Sequence, residues 1–262
     1  MVDGVRSYRE GSCRNCQSMK SFSDSPPKDF ALLIVGRSGS GKSTLAGRFP
    51  RPHFLSLDHN LRGPCAQLAR EGITDVTYDD DIDRGEDGKE LTPAVQFTRF
   101  NERLMAALAS DRETIVIDNA TQLTDLMCAE ILRLSPTKSG RMEIPSWGQL
   151  GQFWKQVALK LRQAPKRVII LCHEKVEKDD LDGSLKNFLA IPGQTGDLLP
   201  GYMTDCWRTE VHEQTTTQGV VTRRMVRVVS NQRLEHLKTS IPTLPAVFEA
   251  SQTEISKILA QL

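Results

Sequence analysis

No apolar run in the 262 residues approaches the ~20 needed to cross a bilayer. The opening, MVDGVRSYREGSCRNCQSMK, has no apolar core of the kind a secretory signal carries. A soluble, cytoplasmic protein with no membrane contact is the expectation. An excess of either charge is missing too: 34 Lys plus Arg stand against 33 Asp plus Glu, a formal +1. Nothing in that total calls for a polyanionic partner. The six cysteines, at 13, 16, 65, 128, 172 and 206, form no disulfide framework. Only Cys13 and Cys16 stand close together, and no Cys or His cluster near them supplies the two further ligands of a zinc site. Internal repeats are absent as well. What remains is 39% hydrophobic and 26% charged, neither disordered nor fibrous, and long enough to close one sizeable core.

Residues 1–28 are polar, rich in Ser, Arg and Lys, and end in a Ser-Pro-Pro segment. They read as a flexible N-terminal tail ahead of one folded domain spanning 29–262. Ala31-Leu32-Leu33-Ile34-Val35 is a short, unbroken apolar run that stops at glycine, the pattern of a strand buried on both faces of a parallel sheet. Phe54 to Leu57, Thr114 to Ile117 and Val168 to Cys172 repeat the pattern. The segments between them are amphipathic: Val95, Phe100, Leu104 and Leu108 recur at near-helical spacing, as do Leu123, Met127, Ile131 and Leu134, then Phe153, Val157 and Leu161. Strands alternating with helices give an α/β fold, a mostly parallel central sheet with helices on both faces. After Pro200 the period changes. Trp207 to His212 and Val220 to Val229 alternate around a Thr-Thr-Thr-Gln-Gly turn, which predicts an antiparallel C-terminal extension, and Leu244 to Leu262 is expected to close the chain as a helix. Asp75 to Glu90 carries eight acids against Arg84 and Lys89; such dense like charge marks an exposed loop, with a metal site as the alternative.

The strongest signal is Gly36-Arg37-Ser38-Gly39-Ser40-Gly41-Lys42-Ser43-Thr44, which satisfies G-x-x-x-x-G-K-[ST] between a buried strand and a helical segment. Glycines let backbone N–H groups turn inward around phosphate oxygens, and the following helix offers its positive end to the same charge. Lys42 adds a point charge at the outer phosphates of ATP, and the Ser43 hydroxyl is placed to ligate Mg²⁺. The metal needs an acidic anchor, and Asp118, closing the apolar run Thr114 to Ile117, lies at the same sheet edge; the alternative is a helix cap. The residues after it are Asn119 and Ala120, not the glutamate that many additional-strand ATPases place there. The acid that orients water is therefore sought elsewhere. Asp58, ending the second apolar run, is one candidate and Glu174, following the fourth, the other.

These segments resemble the RecA-like P-loop ATPases, and within them the phage nucleotide-binding proteins that include single-strand-annealing ATPases of recombination. The resemblance covers most of 29–245 and rests on GRSGSGKST, IVIDNAT, IPSWGQLG, VIILCHEKVE and IPGQTGDLLPGYMTD. It implies that 29–262 is a RecA-like ATPase domain in which Asp58, ending FLSLDHN, activates water. It further implies that His173 senses the terminal phosphate, although His-Glu stands here where RecA-type proteins carry Asn-Gln. Single-stranded DNA would meet two loops, the stretches Ser135 to Trp147 and Lys175 to Gly201. The first offers Lys138, Arg141 and Trp147, charge for a backbone and a ring for a base; the second is outweighed by acids. Filaments and rings of this family complete each site with a basic residue of the neighbouring subunit, a role open to Arg233 and Lys238. A homo-oligomer, phage recombination or replication partners and a bacterial host cytoplasm follow from the resemblance. Two other functions use the same loop: a nucleotide-gated loader or assembly factor acting on a protein partner, and a small-molecule kinase with Arg223 and Arg224 in a lid.

Overall fold

The computed structural model describes residues 30–178, 183–216, 219–231 and 236–261. The 1–28 tail, with Cys13 and Cys16, and Arg233 lie outside them. The chain runs β1 (Ala31–Gly36), α1 (Lys42–Ala46), β2 (Pro52–Ser56), α2 (Arg62–Arg70), β3 (Thr77–Asp79), α3 (Pro93–Ala109), β4 (Thr114–Asp118), α4 (Ala120–Leu134) and α5 (Ile144–Arg162). It continues β5 (Arg167–Lys178), β6 (Leu185–Leu189), α6 (Thr195–Tyr202), β7 (Asp205–Thr216), β8 (Gly219–Arg227), β9 (Val247–Glu249) and α7 (Gln252–Leu259).

The described strands form one sheet in the order β3-β2-β4-β5-β1-β7-β8-β9, with β6 paired to β5. Contacts from β3 through to β7 are parallel; β6, β8 and β9 add antiparallel pairings. This is the α/β architecture and antiparallel extension that the apolar runs predict. Every residue of β1 is buried, because both neighbours cover its edges and helices cover its faces. The alternation of a strand splits the core in two. Leu33, Val35, Ile115, Ile117 and Ile170 pack against α3, α4 and α5, while Leu32, Ile34, Val116, Ile169 and Leu171 pack with Leu45, Trp207 and Ile255.

Register fixes which strand ends meet. Gly36 lies opposite His173, Asp118 opposite Leu171, and Ser56 opposite Asp118. β5 stands between β1 and β4, so the phosphate-loop strand and the Asp118 strand are one strand apart yet end at one edge, where ligands of open α/β sheets bind.

Four expectations are corrected. The buried stripe of α3 is Phe97, Phe100, Leu104 and Ala107, whereas Val95 is exposed. α5 presents Leu150, Trp154, Ala158 and Leu161, with Phe153 and Val157 only flanking them. The 75–90 stretch is not wholly solvated loop, since Thr77 to Asp79 adds an edge strand to β2 and Ile82 is buried. Among the described residues no group of three or more His, Cys, Asp and Glu could hold a metal ion. Finally, 244–262 is not one helix. Val247 to Glu249 pairs with β8, covering its outer edge, and α7 starts only after Ser251, whose hydroxyl accepts the Glu254 N–H at 3.3 Å.

Candidate nucleotide site

The phosphate loop is built by close approach of backbone to backbone. Gly39 and Gly41 hold left-handed φ of 76° and 96°, open to glycine at little cost. A Cβ on Gly36 would fall 2.6 Å from the hydroxyls of Ser40 and Thr209, so β7 presses against the loop. The Ser40 hydroxyl lies 2.7 Å from that of Thr209 and donates to the Arg37 carbonyl at 2.8 Å. Arg37, Ser38 and Gly39 form the exposed crest, and Thr44 is buried in α1.

Lys42 is buried and curled back on the loop, its ammonium donating to the Gly36 and Arg37 carbonyls at 3.1 Å each. Burial pulls it below its usual pKa, opposed chiefly by Asp118. The Ser43 hydroxyl donates to Asp118 Oδ2 at 2.7 Å. Burial and the neighbouring Asp58 charge push the Asp118 carboxyl up to about 6, against the hydrogen bond from Ser43 and the Lys42 charge. A hydroxyl joined to a buried carboxylate with an ammonium beside it is a donor set suited to Mg²⁺ and a polyphosphate. The cavity there measures about 280 Å³. Lys42, Ser43, Asp58, Asp118, His173 and Arg224 reach it.

Asn119 organises the centre. Its Oδ1 caps α4, accepting the Thr121 and Gln122 N–H groups at 3.0 and 3.2 Å. The amide orientation is thereby fixed, and its Nδ2 donates to Asp58 Oδ2 at 3.2 Å and to His173 Nε2 at 3.2 Å. His173 Nδ1 stands 3.3 Å from Lys42 Nζ. Burial, then the Lys42 charge, hold the imidazole below its usual pKa, which leaves it neutral near pH 7.

Glu174 points elsewhere. Successive residues of a strand face opposite sides, so with His173 over the loop, Glu174 turns to the other face. There both its oxygens accept from Arg208 Nε at 2.9 Å, and its side chain is 1% exposed. Arg208 also donates to Glu210 at 2.7 Å, and Arg227 and His212 bind the same carboxylate at 2.8 Å. Burial pushes the Glu210 carboxyl up, but these bonds outweigh it and hold it at about 2.

Sequence reasoning missed three participants. Asn119 is legible as a helix cap between strand and helix. Thr209 carries no local signal. Arg224 had one, because it alternates with the buried Val226 and Val228 and so shares their face; its Cδ would meet a Cβ on Gly41 at 2.6 Å. Lys238 is not brought to the cavity: its backbone pairs with Cys206 at 2.9 and 3.1 Å, low on β7. Lys138 and Arg141 are exposed on the loop between α4 and α5, whereas Trp147 sits in the first turn of α5, partly packed on the core.

A family model described as an AAA domain matches residues 28–235, from the residue range just before β1 to past β8. The chain belongs to the AAA-domain family. As an AAA domain it is a P-loop ATPase, which accounts for the convergence of Lys42, Ser43 and Asp118. Among solved structures this AAA domain is similar to a KaiC-like protein from the hyperthermophilic archaeon Pyrococcus horikoshii OT3, with 14% identity over 80% of this chain and 82% of that one and a TM-score of 0.38. No curated protein matches it.

Proposed function

We propose that this AAA domain hydrolyses Mg²⁺·ATP and couples the cycle to single-stranded DNA in recombination or annealing, as a homo-oligomer whose neighbouring subunits complete each site. The observation that carries the nucleotide half is the Ser43–Asp118 hydrogen bond, 2.7 Å long, beside the buried Lys42. Ser43 and Asp118 would hold Mg²⁺, Gly36 to Thr44 would hold the phosphates, and the bound metal would supply charge neutralisation at the reacting phosphoryl group. Asp58 is the acid we assign to orienting water, because Asn119 holds its Oδ2 in the cavity while Arg208 engages Glu174 on the other face. His173 is assigned to sensing. A neutral imidazole accepts at only one nitrogen, yet both its nitrogens face donors, Asn119 Nδ2 and Lys42 Nζ. One contact is therefore unmatched while Lys42 stays curled on the loop, and Lys42 turning to a phosphate would release it.

The DNA half rests on the sequence resemblance, supported by exposed Lys138 and Arg141 next to Trp147. Arg233 and Lys238 stay assigned to a neighbour's site. Lys42→Ala should abolish turnover, measured as phosphate release; retained full activity would sink the assignment. Labelled single strands titrated at two salt concentrations should show nucleotide-dependent, salt-sensitive binding. No binding at low salt, with or without ATP, removes the recombination role. The second reading, a nucleotide-gated loader or assembly factor, is favoured by Asn119 standing where a catalytic glutamate would lie, and turnover unresponsive to DNA would select it. A kinase lid is not supported, since Arg223 and Arg224 project from opposite faces of β8.

A further inference from the structure

The turn that carries Asp58 has a second support besides Asn119. Leu57, just past β2, donates its N–H to the Asp118 carbonyl at 2.6 Å, and α2 begins at Arg62. Between them the chain turns through His59, whose φ of 54° is left-handed. Glycine takes that conformation at little cost, whereas a side chain crowds the backbone there. Arg51 and His59 are the non-glycine residues with positive φ among the described ones, and only His59 lies between two residues that line the phosphate cavity, Asp58 and Asn60.

A strained residue beside a reacting group persists because its surroundings hold it, and His59 has such a hold. Its Nε2 lies 3.0 Å from Asp83 Oδ2. Asp83 is fixed in turn. Its carbonyl accepts the Leu91 N–H at 2.7 Å, the Gly85 N–H donates to the Lys89 carbonyl at 2.8 Å, and Arg84 bridges Glu90, which closes 83–91 on itself. Just before it, Ile82 is buried in the core and Arg103 of α3 pairs with Asp81 at 3.2 Å. The acidic segment thus offers His59 a braced carboxylate.

What the pair controls follows from backbone geometry. The φ and ψ of His59 set where the Asn60 N–H points, and that N–H donates to Asp58 Oδ1 at 3.1 Å, an aspartate accepting from the residue two further on. Asn119 Nδ2 holds the other oxygen at 3.2 Å. With His59 released, Asp58 would be held at one oxygen and could change rotamer. The His59 and Asp83 side chains are 40% and 26% exposed, so their pair contributes little to stability. Orientation is where it matters, since a misplacement of about 1 Å lowers a rate steeply.

We infer that His59 is a positioning residue, which Asp83 holds in the left-handed turn that aims the Asp58 carboxylate into the phosphate cavity. The inference rests on Asp58 being the acid that orients water, and it gives the acidic segment a part in turnover. Steady-state phosphate release by the full chain tests both, with Asp58→Asn beside His59→Gly, His59→Gln, Asp83→Ala and the double variant of His59→Gly with Asp83→Ala. Asp58→Asn should lose turnover by roughly a hundredfold or more. His59→Gly keeps the left-handed backbone and removes the pair, and Asp83→Ala removes it from the other side. Each should lower kcat about tenfold with KM for ATP unchanged. Joined in one chain they should lose no more than either alone, as two residues acting through one contact do. His59→Gln, whose amide nitrogen replaces Nε2, should recover most of the lost kcat. In nucleotide-free Asp83→Ala the Asn60 amide should exchange its hydrogen faster than in the wild type while the amides of β2 do not, a change that needs no turnover. Unchanged kcat in both single variants, multiplied losses in the double, or a loss carried by KM overturns the inference even where Asp58→Asn has lost turnover. So does unaltered exchange at Asn60. Full turnover in Asp58→Asn removes the acid from the reading, and this inference with it.

Discussion

Asp118 sets function against stability. Its carboxyl titrates at about 6 rather than at the ordinary 3.8, because burial and Asp58 both disfavour the anion. Between these two values the folded chain binds more protons than the unfolded one, so through this group the nucleotide-free protein gains stability as pH falls from 7 toward 4 and loses it as pH rises through 6. Asp118→Asn keeps the shape, removes the charge and should raise the melting temperature of the nucleotide-free protein, by on the order of 5 °C, while eliminating ATP turnover. Calorimetric melting across that pH range should show the gain shrinking as pH falls, since the wild-type carboxyl then neutralises itself. A melting temperature in Asp118→Asn at or below wild type at pH 7 would contradict the buried-charge account. Asn119 beside it is both cap and bridge, which is why this position carries an amide: a glutamate would offer no donor to Asp58 and His173.

At the scale of elements, the β7–β8 ribbon does more than extend the sheet. One face of β7 presses Thr209 onto the phosphate loop, and the alternation of β8 lays Arg224 across Gly41. Among the described residues the Arg224 guanidinium has no hydrogen-bond or salt-bridge partner within reach, and its charge acts on Glu71. It faces the phosphate cavity. Arg224→Ala should raise KM for ATP about tenfold with a smaller change in kcat, as expected when one charged hydrogen bond is lost from ground state and transition state alike; steady-state kinetics at saturating Mg²⁺ checks it. Arg227, on the other face, is committed to Glu210 at 2.8 Å. Arg224 and Arg227, three residues apart, thus have separate fates, decided by which face of β8 each occupies.

At the scale of the whole molecule, two cores on either side of one sheet hold the site. Trp154 anchors the first: it is 0% exposed and its indole N–H donates to Thr124 at 3.1 Å, tying α5 to α4. Trp154→Ala should cost about 3–5 kcal/mol, seen as a drop of roughly 10 °C in thermal melting, and should lower turnover only as far as folded protein is lost. The near-zero net charge also resolves at this scale. The acids of 75–90 are spent on local pairs such as Arg103–Asp81 and His59–Asp83, and those of β5 and β7 on Arg208 and Arg227. The total therefore says little about any one face.

The apolar runs, the phosphate loop and the strand ending at Asp118 are local patterns, and each dictates its own element: an unbroken apolar run is buried on both faces wherever the sheet places it, and G-x-x-x-x-G-K-S turns its backbone inward whatever surrounds it. Asp58 was legible as the acid just after a buried strand, and His173 through the family resemblance, at the point where β5 leaves the core. Tertiary structure alone decided the rest. Strand order and register brought Asp118 within 2.7 Å of Ser43 across an intervening strand. Alternation separated His173 from Glu174, and pairing with β8 made a strand of 247–249 where its apolar residues read as helix. Arg224 and Thr209 reach the phosphate loop from segments far away in the chain, and their meeting with it depends on packing that no local spacing encodes.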